Sequence, residues 1–394
     1  MTDDGDDLID SVDEIDSVDE DVEIDNMTPA MRAALLEVLI HGALPRAELA
    51  RRLHLSRASL TRITRVLVDG GLLAEGETRL MASTGRPSEM LTLRANARHF
   101  LGVKLTGDRL YAVVTDLSAS IVASAERPLS SKEVVDVVAE IADVARGFAA
   151  EFPRLTSIGI AIAGRVSQGS EGAVVEQSAF LEWSEVPLGA LVTEATGLAC
   201  AVENDVQALT ATEHWFGAGA GLDDMALLTV GVGIGCGLVV NGKLVEGAHS
   251  RSGQISHTIV DEAGPHCGLG HRGCASSVLV NDAIVGAYRQ PGVDYPGVVA
   301  AARGGDPIAL AVFADAGRAL GVLAAGVVNL VDPQKVVVTG DGIAVVELAG
   351  DAVRAALEER LDREAAPVDL DVRTWDFSEW ARAGGGLAIR AMLT

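Results

Sequence analysis

Apolar residues change their period twice along this chain, and each change marks a new kind of structure. Between Pro45 and Gly71, Ala47, Leu49, Ala50 and Leu53 lie close to helical spacing. Leu55-Ser56 interrupts the pattern, and Leu60, Ile63 and Leu67 resume it three and four residues apart. Two short helices joined by a tight turn are predicted. Ser56 suits the cap of the second helix, because its hydroxyl oxygen accepts an otherwise unpaired backbone N–H. Asp69-Gly70-Gly71 stops that helix, since glycine enters the left-handed C-terminal conformation without a side-chain clash. From Leu72 to Leu93 the pattern becomes two apolar segments around Gly85-Arg86-Pro87, read as a pair of strands with a punctuated tip.

Past Phe100 strands and helices alternate. FLGVKLTGDRLYAVVTDL (100–117) reads as two strands turning at Thr106-Gly107-Asp108, and residues 134–148 as an amphipathic helix. SIGIAIAG (157–164) is a buried strand ending in glycine, and residues 198–206 form another strand running into a helix. MALLTVGVGIGCGLVVNGKLV (225–245) is a strand, a glycine-rich turn and a second strand, and KVVVTGDGI (335–343) repeats that logic. Strands that end in small-residue turns between helices predict sheets whose C-terminal edges carry a ligand cleft.

The side chains facing away from the second helical stripe carry the first candidate chemistry. They are Ala58, Thr61, Arg62 and Arg65, with Arg57 and Ser59 on the shoulders. In a helix-turn-helix the second helix lies in the major groove, where arginine forks onto guanine and Ser or Thr donates to bases or phosphates. Arg86 at the tip of the following hairpin is placed to enter a minor groove or meet a phosphate. Taken alone, the same residues also describe an ordinary helical hairpin with a solvated arginine face and a turn arginine in water.

Charge first opposes, then supports, the nucleic-acid reading. The net charge is -25, but residues 1–26 hold 13 of the 56 acidic residues and no Lys or Arg. Residues 27–100 carry 11 Arg against 6 Asp and Glu, so the basic footprint coincides with the hairpin and its wing. The block at 1–26 is predicted to be a disordered, self-repelling tail. The remaining length suits two or three domains. Acids rather than bases follow Met1, which is no secretory signal, and the apolar run from Ala319 to Val331 is too short for a membrane span. Cys200, Cys236, Cys267 and Cys274 are too few and scattered for a disulfide scaffold. A cytoplasmic protein with no membrane partner is expected.

Several motifs in fixed order then give a resemblance: the hairpin, the Gly-Arg-Pro wing, SIGIAIAG, Glu203-Asn204-Asp205, GVGIGCG (231–237), Gln254 to His257, and Cys267 to Cys274. Residues 27–394 resemble the repressor branch of the ROK family, whose name joins repressors, open reading frames and kinases. The resemblance implies a multidomain chain: an α-rich winged helix-turn-helix at 27–95, then at 96–394 a two-lobed α/β sugar-kinase fold of the actin or ribonuclease-H-like kind. The lobes divide near 206, and a C-terminal helix returns to the first.

The resemblance also assigns residues. In kinase-like members the residue matching Asp205 is the general base, and the one matching Asn204 holds a neighbouring sugar hydroxyl. Gly164, Gln254 and His257 fall on further ligand-binding positions. An Asp-x-Gly-Gly-Thr turn handles ATP phosphates and metal in those members. This chain has Lys104-Leu105-Thr106-Gly107-Asp108, a cation where magnesium needs an anionic neighbour. Read by themselves, Asn204-Asp205 are also a good helix start, and the glycines at 231–235 a tight hairpin between core strands. Family zinc ligands are a His and Cys-x-Cys-x4-Cys. His257, Cys267 and Cys274 match, Leu269 replaces the middle cysteine, and His266 or His271 is close enough in sequence to substitute. Phe180-Leu181-Glu182-Trp183 stands where many members have Asn-Leu-Gly-Trp, and Ser276 replaces a glutamate. The expected protein is a homodimeric or homotetrameric regulator binding a double-stranded operator and a sugar effector, without ATP or Mg2+; the resemblance implies a structural zinc, while the glycines of GLGHRGC (268–274) by themselves also make a compact loop without metal. An active sugar kinase with an accessory DNA-binding domain, and a constitutive repressor with a vestigial pocket, are the alternatives.

Overall fold

The computed structural model describes residues 27–80, 87–169, 172–374 and 376–394. The acidic block and Arg86 therefore lie outside the described residues. The chain opens with α1 (Pro29–His41), β1 (Leu44–Pro45), α2 (Arg46–Arg52), α3 (Arg57–Asp69), β2 (Leu73–Leu80) and β3 (Pro87–Leu93). The apolar spacing did not bring out α1, because its Leu36, Leu39 and Ile40 spread around the helix instead of forming one stripe with buried Leu35 and Val38. Ser56 caps α3, its hydroxyl accepting the Ser59 N–H at 3.1 Å. Gly71 takes φ +71° just past the helix, a backbone state in which a side chain would be strained. Strands β2 and β3 pair antiparallel, and β1 adds a third strand beside β3. Leu35, Leu49, Leu60, Ile63, Leu67, Leu72 and Leu91 are fully buried between these elements.

Two five-stranded sheets follow. The first lobe holds β4 (His99–Leu105), β5 (Arg109–Asp116), β6 (Ile121–Pro128), α4 (Val134–Glu151) and β7 (Leu155–Ile162). A small sheet comes next, β8 (Arg165–Gly169), β9 (Gly172–Ser178) and β10 (Trp183–Val186), then α5 (Leu188–Thr196) and β11 (Ala199–Asn204). Its main sheet has the order β11-β7-β4-β5-β6, with β4, β7 and β11 parallel. After α6 (Asp205–Phe216), the second lobe has β12 (Met225–Val230), β13 (Ile234–Val240), β14 (Lys243–Leu244), α7 (Asn281–Tyr288), α8 (Tyr295–Arg303), α9 (Pro307–Val331), β15 (Lys335–Thr339), α10 (Ala344–Arg360) and β16 (Leu370–Val372). Its sheet order is β14-β13-β12-β15-β16, again a hairpin followed by parallel strands. Helix α9 is long and apolar enough to cross a bilayer, yet Phe313, Leu320, Leu323 and Ala324 are buried in the second-lobe core.

The last helix, α11 (Phe377–Leu393), lies flat on the first-lobe sheet, against β4, β5 and β7. Three consecutive glycines allow this. A Cβ on Gly159 of β7 would stand 1.9 Å from the Gly384 carbonyl oxygen, so neither surface tolerates a side chain there. Helices α6 and α11 both end in the winged-helix core, where Trp215, Ile389, Met392 and Leu393 join Met27, Leu35 and Leu67.

Candidate ligand cleft and nucleic-acid interface

On α3, Arg57, Thr61, Arg62 and Arg65 are exposed and Ser59 is half-buried. The arginines of the preceding helix are all occupied. Arg46 reaches Glu75 and Glu89 on the wing and the Thr64 hydroxyl, Arg51 pairs with Glu48, and Arg52 with Glu37 and Glu48. Arg57, Arg62 and Arg65 have no such partner among the described residues. Exposed guanidinium groups that the fold leaves unpaired are what an anionic partner would meet. The two hydroxyls are engaged locally: Thr61 donates to the Arg57 carbonyl at 2.8 Å, and Ser59 lies 2.9 Å from the Ser56 hydroxyl.

Between the lobes lies a cleft of about 1310 Å³, above the range of roughly 300–1,000 Å³ usual for small-molecule pockets. Gly164, Asn204, Asp205, Gln254 and His257, far apart in sequence, all line it. Strand β11 delivers Asn204 to its C-terminal edge, where α6 begins. The Asn204 side-chain oxygen accepts from Val206 N at 3.0 Å and Gln207 N at 3.2 Å, and its amide donates to the Gly164 carbonyl at 2.9 Å. So Asn204 caps the helix and ties it to the SIGIAIAG strand, leaving one amide hydrogen for a ligand.

Asp205 is not free. The Lys104 ammonium, from the end of β4, lies 2.5 Å from its carboxylate, with side-chain exposures of 6% and 13%. The same ammonium sits 5.2 Å from the Trp380 ring centre. Charges this buried are tolerated because each neutralises the other, and removing either partner alone costs about 3–5 kcal/mol. The glycine-rich turn after β12 is also engaged. Asp341 accepts from Val232 N at 3.4 Å and from the Asn281 amide at 2.7 Å, a carboxylate set against the loop.

Four ligand atoms converge beside the cleft, from His257, Cys267, His271 and Cys274, all within 4.8 Å of one another. Cys274 Sγ lies 3.5 Å from His257 Nδ1, and Cys267 Sγ lies 3.7 Å from His271 Nδ1. A tetrahedral zinc with ordinary Zn–S and Zn–N bonds separates such ligands by roughly 3.5 Å. The set therefore fits the ion, with His271 supplying the fourth ligand and His266 outside the group. Leu269 is 72% exposed at the cleft lip. Cys200 and Cys236 stand apart, and burial pushes both thiols up to about 12.

Sequence reasoning missed the aromatic side of the cleft. Trp380, Phe377 and Tyr111 line it, Phe377 and Tyr111 stacked at 4.6 Å and 16°. They join Phe180, 47% exposed, which the sequence already singles out as the replacement of a family Asn. No motif announces Trp380 and Phe377, because only the return of α11 brings them there.

A family model for the ROK family matches residues 100–390. The chain belongs to the ROK family. Among curated ROK-like relatives, the DNA-binding transcriptional repressor Mlc of Escherichia coli K12 is 26% identical over 89% of each chain. A crystal structure of a ROK family transcriptional regulator, homologous to that Mlc, superposes with a TM-score of 0.78 at 26% identity, covering 93% of this chain and 96% of that one. A ROK family glucokinase from Streptomyces griseus, in complex with glucose and AMPPNP, gives 0.62 at 25% identity, over 74% of this chain and 99% of the kinase. The two-lobed sugar-kinase-like architecture expected from the sequence is thus the fold of this ROK chain.

Proposed function

We propose that this chain is a DNA-binding transcriptional regulator, acting as a cytoplasmic repressor of carbohydrate-related genes. Its kinase-like cleft senses a sugar or sugar derivative and transfers no phosphoryl group. The observation that carries the reading is the row of guanidinium groups on α3 that have no acidic partner among the described residues, set on a winged hairpin whose core is continuous with α6 and α11. Both helices start at the cleft, Asp205 on one and Trp380 on the other. A ligand that changes the angle between the lobes therefore moves the ends on which the hairpin rests. In a dimer, this alters the spacing of two recognition helices, whose half-sites repeat at about 34 Å along DNA.

Likeness to a glucose-bound kinase supports a sugar in the cleft and raises phosphoryl transfer as the second reading. The ion pair argues against transfer. A carboxylate neutralised by a buried ammonium is a poor general base, and a lysine at the metal position opposes magnesium electrostatically. A coupled ADP-release assay over a sugar panel is expected to stay at background. Turnover at an ordinary enzyme rate, about 1 to 1,000 per second, would replace this reading with the kinase one. Selection of genomic fragments by the purified protein tests the other half. Enrichment of discrete sites over random duplex at moderate salt is expected, and its absence ends the regulator assignment.

His257, Cys267, His271 and Cys274 are assigned to a structural zinc that fastens the cleft lip, where it would supply cross-linking and no reaction step. Metal analysis is expected to find one zinc per chain, with loss in Cys267→Ser and retention in His266→Ala. Zinc-free native protein refutes the site.

A further inference from the structure

The cleft's charges identify the kind of sugar it takes. Among the described residues, each lysine and arginine lining it lies beside one of the protein's own acids. Lys104 is held by Asp205 at 2.5 Å, Lys132 by Glu182 at 2.7 Å, and Arg109 by Glu126. Arg165 of the first lobe and Arg251 of the second share Glu176, each at 3.5 Å. The glycine turn after β12 carries an acid of its own. Its Gly231 lacks the Cβ that would stand 1.7 Å from Asp341 Oδ1, so the Asp341 carboxylate lies directly against the turn and puts a negative charge beside any anion bound there.

Two further acids, Asp108 and Asp376, line the same cleft, so among the described residues seven carboxylates stand against five cations in and around it. A phosphate or carboxylate on the ligand would meet cations that are already neutralised, Lys104 in a buried pair and the rest at the rim, and would lie close to the acids that neutralise them. An uncharged polyol meets no such opposition. Its hydroxyls find acceptors and donors in Asp205 and Gln254, and its C–H face finds the apolar surface of Trp380 and Phe180.

Resting on the sugar reading above, we infer that the effector is an uncharged sugar, and that sugar phosphates, sugar acids and nucleotides are excluded by the cleft's own carboxylates. Calorimetric titration of the full-length protein tests this with glucose, xylose and N-acetylglucosamine, each beside its terminal phosphate ester. The expected result is binding of at least one free sugar, with its ester weaker by about tenfold or more. An ester that binds as tightly as its parent, or more tightly, overturns the inference and leaves the sugar reading standing. If none of the six binds, the sugar reading itself falls, and the inference with it.

Two variants check the cause. Asp205→Asn frees the Lys104 ammonium, and Glu176→Gln, half-buried at the rim, frees the exposed Arg165 and Arg251. In each the ratio of free sugar to ester affinity is expected to fall by about tenfold. The rim variant stands alone should the buried one fail to fold. Ratios unchanged from the native protein overturn the inference.

Discussion

Arg62→Ala lowers operator affinity by about 1–3 kcal/mol, roughly 5- to 150-fold, if Arg62 forks onto a guanine edge. Such a residue also relaxes specificity at one base pair. An arginine that meets only phosphate would instead weaken all duplexes alike and reduce the salt slope by about one. Fluorescence anisotropy against operator and scrambled duplex, over a range of salt, separates these outcomes. Arg62 is exposed and makes no ion pair among the described residues, so the variant is expected to fold normally. Replacing Arg57, Arg62 and Arg65 together should abolish specific binding. The effect of Thr61→Ala should be small, because that hydroxyl already serves the Arg57 carbonyl. Undiminished binding by the triple variant would show that this face does not touch DNA.

Arg382→Met is the second large effect, and it acts between the cleft and the hairpin. Helices α6 and α11 are cross-linked there. Arg382 lies 2.5 Å from Glu213, whose side chain is 3% exposed and also accepts from Ala218 N at 2.9 Å. Thr212 donates to the Ala383 carbonyl at 3.2 Å, and nearer the hairpin Arg390 sits 4.9 Å over Trp215. Losing the guanidinium leaves Glu213 charged and buried, a cost of about 3–5 kcal/mol in chemical denaturation. Glu213→Gln should cost less, since Arg382 keeps Glu379 at 2.6 Å. Because both helices run from the cleft to the winged-helix core, Glu213→Gln should also weaken the response of operator binding to effector, with effector affinity little changed. Equal destabilisation by the two variants would show that Glu213 is not the residue that needs the pair.

The candidate site was legible to different depths. Asn204-Asp205 announced a helix start, and the structure has Asn204 capping α6 while both residues face the cleft. Lys104 was legible as a charge in the wrong place for magnesium. Its partner was not, since β4 and β11 are brought near each other only by the intervening β7. Two histidines lay within reach as replacements for the lost cysteine at 269, and loop geometry alone chose His271.

By itself, the sequence determined what depends on neighbours along the chain: the two helices of the hairpin, the cap at Ser56, the strands that end in glycine, and the net positive balance of residues 27–100. These follow from periodicity and local hydrogen bonding, which act over a few residues. Only the tertiary structure decided which charges cancel, which arginines have no partner among the described residues, and which aromatic rings wall the cleft. Those are matters of a few ångströms between residues a hundred or more positions apart, and no spacing along the chain encodes them.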